Sequence, residues 1–345
     1  MFIVIYKILL YLTVLLVLSG CFAALPETMI PPGGTYRVST SITYNIANRT
    51  YLLHVPPDYN PTTPLPLVVV LHGAFSTGKQ TEMETGFSDL ADRERFLVAY
   101  PEGIGIFGLL QHWNAGHCCG KAADAQVDDI SFIAEVINSV QQKLAVDSAR
   151  IYMAGMSNGG MLTYRFAAEQ TGTLAAAAVV SGAIGSSLDN EPGAWQMPQP
   201  VNALPIVIYH GLNDQTIPAA VGGEPRKRGG RQFLPATAAL DLWRKANGCD
   251  LSPEAKSTHN GFDMQLTWAS CFNGSSLEYH LLSEWGHQWP APWFTNRLDM
   301  DHPLRGFDAT RQIWTFFSKF RRSEHLKNRL VETPQSDIIH LQLKP

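Results

Sequence analysis

The sequence predicts an α/β fold, a mostly parallel sheet with helices on both faces, and three observations carry that prediction. Near-continuous apolar runs at Leu65–Leu71 and residues 205–210 read as strands buried on both faces. Strand-like runs alternate with helical patterns along most of the chain, which is the rhythm of parallel strands joined by helical crossovers. The stretch Arg150-Ile151-Tyr152-Met153-Ala154-Gly155-Met156-Ser157-Asn158-Gly159-Gly160 passes from an apolar strand into a helical pattern across a glycine-flanked serine. With 345 residues, 45% hydrophobic and 16% charged, the chain is long enough to bury one sizeable core.

Taken in order, residues 36–44 and 49–55 read as two strands joined by 45–48, a β-hairpin. Leu65–Leu71 ends in His72-Gly73-Ala74-Phe75. A short strand at 96–100 closes on Pro101-Glu102-Gly103. A long loop then runs to about Val127 and carries His112, Trp113, His117 and the adjacent Cys118 and Cys119. Asp128 or Asp129 caps a helix that runs to about Val146. After the serine turn, Met161, Tyr164 and Ala168 share one helix face, with Leu162 and Phe166 beside them. A strand at 176–181 and a Pro-rich excursion to Leu204 follow. Strand 205–210 ends in His210-Gly211-Leu212-Asn213-Asp214. A helix is expected over 236–247, strands over 262–268 and 277–283, then Glu284-Trp285-Gly286-His287-Gln288-Trp289-Pro290, and a last helix over 307–320. There is no internal repeat and no interdomain linker, so residues 36–320 read as one domain, preceded by a tether at 21–35. The structure of the charged tail, 321–345, stays open.

The N-terminus reads as a targeting segment, 1–20, with Lys7 before an apolar core at 8–18 that is short for a membrane span. Leu18-Ser19-Gly20-Cys21 resembles the lipobox of bacterial lipoproteins. That resemblance implies cleavage before Cys21 and a diacylglycerol on its thiol. Secretion with cleavage near Ala23 or Ala24, or an anchor retained from Phe2 onward, are the alternatives. The expectation is an exported protein that meets the membrane only through lipidated Cys21. The formal net charge is -4, and the leader's only charged residue is Lys7, so nothing in the balance points to nucleic acid. In an exported chain the four remaining cysteines are free to pair. Cys249 and Cys271 flank an excursion and are expected to be bridged. Whether the neighbours Cys118 and Cys119 are joined or free is left open.

A serine hydroxyl attacks an acyl group only when a base takes its proton and a carboxylate holds that base in the right tautomer. Ser157, Asp214 and His287 each follow a strand end, where open α/β sheets place their chemistry. Glycine-flanked Ser157 has the form of a nucleophile elbow, and the order Ser, Asp, His is that of the α/β-hydrolase fold. Asp128, Asp129 and Asp189 are the rival acids, the first two better read as helix starters. The oxyanion needs two backbone N–H donors. Asn158, after the nucleophile, is expected to give one and Ala74 the other, with Phe75 second; His72 reads as structural. Trp113, Trp195 and Trp289, with Phe75, are candidate walls of an acyl or aromatic pocket. Arg226, Lys227, Arg228 and Arg231 read as a solvated loop. His112, His117, Cys118 and Cys119 offer metal-binding atom types, but adjacent cysteines do not readily both bind one tetrahedral ion, so no metal site is expected.

Jointly, His72-Gly73, Trp113-Asn114-Ala115-Gly116 with Cys118-Cys119-Gly120, Val127-Asp128-Asp129, Gly155 to Gly160, His210-Gly211 with Asp214, Asn247-Gly248-Cys249 and Gly286-His287-Gln288-Trp289-Pro290 resemble one family. It is the secreted esterase family that groups poly(3-hydroxybutyrate) depolymerase-like proteins with feruloyl and acetylxylan esterases, and the resemblance covers residues 36–320. It implies a single α/β-hydrolase domain, a Ser157–His287–Asp214 triad, a Cys249–Cys271 disulfide, an ester substrate, feruloyl, acetyl or hydroxyalkanoate, and no cofactor. Depolymerases of solid polyester usually add a linker and a polymer-binding domain. Neither these nor a carbohydrate-binding module is read here, which turns the expectation away from solid polymer. Rival readings are a cell-envelope acyltransferase with the same triad and a non-catalytic surface binding protein.

Overall fold

Leu65–Leu71 is buried at every position, because it runs through the middle of a sheet covered on both faces. The computed structural model describes residues 30–106, 108–188, 195–220 and 231–322. The expected signal peptide, Cys21, Asp189, Arg226 to Arg228 and all but two residues of the tail lie outside them. The chain divides at Pro32, and the described residues from there on share a ten-stranded sheet.

Its strands are β1 (Gly34–Tyr44), β2 (Ala47–Val55), β3 (Leu65–Leu71), β4 (Leu97–Pro101), β5 (Val146–Met156), β6 (Ala176–Val180), β7 (Ile206–Gly211), β8 (Glu254–Thr258), β9 (Asp263–Trp268) and β10 (Leu277–Leu282). They lie in the order β1-β2-β4-β3-β5-β6-β7-β10-β9-β8. The central six, β4-β3-β5-β6-β7-β10, are parallel. Antiparallel pairs finish both edges. The fold class expected from the apolar runs is the one observed. β8, whose charged and exposed Glu254 and Lys256 gave no apolar alternation, was not foreseen.

The helices are α1 (Gly78–Thr85), α2 (Phe87–Glu94), α3 (Gly120–Asp124), α4 (Asp129–Lys143), α5 (Asn158–Glu169), α6 (Ala236–Ala246), α7 (Pro292–Thr295) and α8 (Ala309–Phe317). Asp128 caps α4, its carboxylate accepting from the Ser131 amide, as a residue of its type does at that position. On one face of the sheet, Phe87, Phe96, Tyr152, Trp289, Phe307, Phe316 and Phe317 join one buried apolar cluster with Val68 and Val98. Each such side chain contributes about 1.5–3 kcal/mol by leaving water. That packing fixes the sheet's carboxyl ends, where the site lies.

Two small sheets sit above those ends. Ile104–Ile106 pairs with Leu109–His112 inside what reads in sequence as one long loop. Gly185–Leu188 pairs with Trp195–Gln196 and with Arg231–Phe233. Cys249 and Cys271 are bridged as expected, with an S–S distance of 2.04 Å, and Cys118 and Cys119 are joined to each other across a cis peptide.

Candidate active site

The serine turn is built from absent side chains. A Cβ on Gly159 would fall 2.4 Å from both Leu71 O and His72 O, and one on Gly155 would fall 2.4 Å from Gly159 O. Only glycine lets α5 start this close to β3 and β5. The chain crosses from β5 to α5 at Ser157 with φ 52° and ψ -120°, a conformation that L-residues rarely adopt. The Ser157 amide donates to Val180 O at 2.9 Å, and its carbonyl accepts from the Met161 amide at 2.8 Å, so both neighbours hold the turn in place.

A second close approach brings the acid and the base together. A Cβ on Gly211, at the end of β7, would lie 2.3 Å from Trp285 O. The Asn213 amide donates to that same carbonyl at 2.9 Å, locking the loop after β7 to the loop after β10. Across this junction His287 Nδ1 lies 2.7 Å from Asp214 Oδ2, and His287 Nε2 lies 2.8 Å from Ser157 Oγ. A carboxylate can only accept, so the proton sits on Nδ1 and Nε2 is left to accept from the serine hydroxyl. The other Asp214 oxygen accepts from the Thr216 and Ile217 amides at 2.8 and 2.9 Å. Burial would raise the Asp214 carboxyl, but the hydrogen bond and charge of His287, with the Ile217 amide, hold it below its ordinary value.

His210 lies behind the carboxylate, its Nε2 donating to Ile217 O at 2.9 Å and standing 3.5 Å from Asp214 Oδ2. Its burial pushes its pKa below the ordinary value, so it is a neutral prop. The rival acids are elsewhere. Asp128 is a cap, and Asp129 is buried in an ion pair with Arg49 at 2.7 Å.

The expected oxyanion donors flank Ser157. Asn158 opens α5, where an amide has no partner within the helix. In the loop after β3, the Phe75 amide is engaged by Gln111 O at 2.8 Å, whereas among the described residues the Ala74 amide has no acceptor. His72 is structural. Its Nδ1 donates to Gly73 O at 2.7 Å and its Nε2 accepts from the Gly103 amide at 3.0 Å, and burial lowers its pKa to about 4.

Ser157 and His287 open into a cavity of about 470 Å3 walled by Phe75, Met156, Met161, Phe233 and Trp289. Two of the aromatic expectations are met in position. Phe75 is 54% exposed at the mouth, and Trp289 forms part of the wall, its indole N–H donating to Thr310 Oγ1 at 2.9 Å. Trp113 is a correction. It is fully buried and does not reach the cavity, because its indole N–H turns inward to His72 O at 2.9 Å. The Trp195 side chain lies outside the described atoms. Arg231 is not simply a solvated loop residue: it opens the strand Arg231–Phe233 and lines the cavity, with Nη1 3.3 Å from Ser186 Oγ.

Met156, Met161, Thr216 and Phe233 line the cavity without having been singled out in the sequence. For Met161 a signal existed, since it stands one helical turn after Ser157. The Cys118 and Cys119 sulfurs are bound to each other beside the cavity, with His112 nearby.

Comparison with known proteins adds a family likeness. The sequence model of the family described as esterase PHB depolymerase matches residues 49–191, from β2 past the serine elbow. The match includes Ala74, Ser157 and Asn158 and ends before Asp214 and His287. Feruloyl esterase B of Piromyces equi is 26% identical to this chain over 246 residues, 69% of this chain and 42% of the relative. The chain thus spans less than half the length of that relative. Feruloyl esterase D of Neurospora crassa is 23% identical over 325 residues, 90% of this chain and 96% of the relative. Among solved structures, an acetyl xylan esterase from Aspergillus awamori superposes with a TM-score of 0.52 at 18% identity, covering 74% of this chain and 94% of the other. This last likeness bears on the fold alone, which is that of the α/β hydrolases.

Proposed function

We propose that the chain is a serine esterase that cleaves carboxylic esters through an acyl-enzyme. The observation that carries this reading is the continuous relay from Ser157 Oγ through His287 to Asp214, with contacts of 2.8 and 2.7 Å. His287 Nε2 takes the hydroxyl proton as Ser157 Oγ bonds to the ester carbonyl carbon. The amides of Asn158 and Ala74 face the oxygen that becomes negative, and buried Asp214 stabilises the imidazolium. His287 then gives its proton to the departing alcohol. A water molecule, deprotonated by the same nitrogen, attacks the acyl-enzyme and releases the acid.

The substrate class is taken from the relatives' names and from the apolar cavity: feruloyl or acetyl esters of plant polysaccharide, or short hydroxyalkanoate esters. Aromatic and methionine walls suit a small apolar acyl group. We also place the protein outside the cytoplasm, anchored through lipidated Cys21. The mass of the mature N-terminal peptide tests that, since a peptide beginning at Phe22 or later, or an uncleaved leader, contradicts it.

The test of the activity is steady-state hydrolysis of methyl ferulate, acetylated xylan, a soluble 3-hydroxybutyrate oligomer and short p-nitrophenyl esters, by the chain and by Ser157→Ala. Turnover of at least one ester, abolished in a folded Ser157→Ala, is expected. A preference of about a hundredfold in kcat/KM, near 3 kcal/mol, names the substrate class. Turnover that survives Ser157→Ala contradicts the assignment.

A further inference from the structure

Trp113, removed from the cavity wall by the structure, touches both segments that carry the oxyanion donors. Its backbone clasps the Asn158 carboxamide on two sides: Trp113 N donates to Asn158 Oδ1 at 2.7 Å, and Asn158 Nδ2 donates to Trp113 O at 3.0 Å. Its indole N–H donates to His72 O at 2.9 Å, two residues before Ala74, and its ring lies 4.5 Å from the His72 ring. One residue therefore spans two segments that are remote in sequence, the loop after β3 and the start of α5.

Trp113 is itself held from behind. The next amide, Asn114 N, donates to Asp129 Oδ2 at 2.7 Å, and Asp129 pairs with buried Arg49 at 2.7 Å. The Arg49 guanidinium lies 3.6 Å from the Phe132 ring centre. The Trp113 carbonyl also accepts from Cys119 N at 2.8 Å, which ties the Cys118–Cys119 turn to the same point. A buried charge and a buried polar amide are costly to hide, and the Trp113–Asn114 backbone meets one Asp129 carboxylate oxygen and both ends of the Asn158 amide.

We infer that Trp113 is the positioning residue of the oxyanion hole, setting the Asn158 and Ala74 amides at one spacing without touching substrate. The inference rests on the serine-esterase reading above. Oxyanion donors act only when held about 2.7–3.1 Å from the developing charge, and losing one costs roughly a hundred- to a thousandfold in rate. A misplacement of about 1 Å can cost about a hundredfold. Because the oxyanion forms only in the transition state, the effect belongs in kcat and not in KM.

Trp113→Phe keeps a ring and removes the indole N–H. Assayed in the full chain on p-nitrophenyl butyrate, with active sites counted by fluorophosphonate titration, it is expected to lower kcat about tenfold or more. KM should stay within about twofold and the pH profile should keep its shape. A folded Trp113→Phe with wild-type kcat overturns the inference, as does a loss shared equally by KM or explained by fewer titrated sites. Should Trp113→Phe fail to fold, Asn158→Asp loosens the clasp from the other side by removing the donor to Trp113 O. A kcat-only loss then supports the inference and an unchanged kcat overturns it. Wild-type protein that hydrolyses none of the esters and takes no fluorophosphonate defeats the esterase reading instead, which keeps the two failures distinct.

Discussion

His287 donates from Nδ1 to Asp214 Oδ2 across 2.7 Å, and the Asp214 side chain has no exposure to solvent. A charge so placed has no water to share its load, so its worth to the imidazolium is large.

Asp214→Asn keeps the shape but offers His287 an amide whose N–H favours the wrong tautomer. A fall in kcat of roughly ten-thousandfold is expected, with the circular-dichroism spectrum unchanged. The stability of the two proteins separates with pH as well. The wild-type carboxyl titrates below its unfolded value, so its contribution is complete above about pH 3.9 and is lost as the pH falls through the folded pKa. Denaturant melts of both proteins between pH 3 and pH 7 check this, and a gap that widens on acidification contradicts it.

Gly159→Ala tests the steric account of the elbow. The added Cβ would meet Leu71 O and His72 O at 2.4 Å, both backbone atoms that cannot swing aside. Overpacking of this kind costs about 1–3 kcal/mol. It also displaces the His72–Ala74 loop, so urea melts should show the stability loss and kcat should fall with it. Wild-type stability would mean that the helix and strand are not in contact there.

His280 gives a pH dependence of the opposite sign, away from the site. Burial alone would lower its pKa, but the flanking Asp263 and Glu278 carboxylates outweigh burial and raise it above its ordinary value. Nδ1 lies 3.0 Å from Asp263 Oδ1, and the ring stacks on Tyr209 at 4.3 Å. The stabilisation is therefore complete below the unfolded pKa of about 6.5 and is lost as the pH rises through the higher folded pKa. The Tm difference between wild type and His280→Gln should shrink from pH 6 to pH 9. A difference that grows over that range refutes the charged-histidine account.

How much of this was legible beforehand follows from where the physical constraint sits. The elbow could be read because steric necessity leaves glycines at Gly155 and Gly159, and the buried parallel strands because their apolar runs carry no alternation. Asp214 and His287 could be located because parallel strands deliver their ends to one edge. The helices Gly78–Thr85 and Phe87–Glu94 were missed: they are eight residues each, and the first is largely polar. Trp113 was misplaced for a different reason. An aromatic residue in a glycine-rich loop looks the same in sequence whether it faces a ligand or the core. What turned it inward was the need of its N–H, and of the buried Asn158 amide, for partners that only the folded chain assembles. Joining Cys118 to Cys119 was likewise beyond sequence reading, which left both states open.

The central claim is that Ser157 is a nucleophile activated by His287, and covalent labelling tests it most directly. The folded chain is treated with a fluorophosphonate, digested, and the adduct located by mass spectrometry, with Ser157→Ala and His287→Ala as comparisons. The account predicts one phosphonyl group per chain, on Ser157, absent from Ser157→Ala and formed at least a hundredfold more slowly in His287→Ala. Labelling of another residue, or labelling of Ser157 at the same rate without His287, would contradict it.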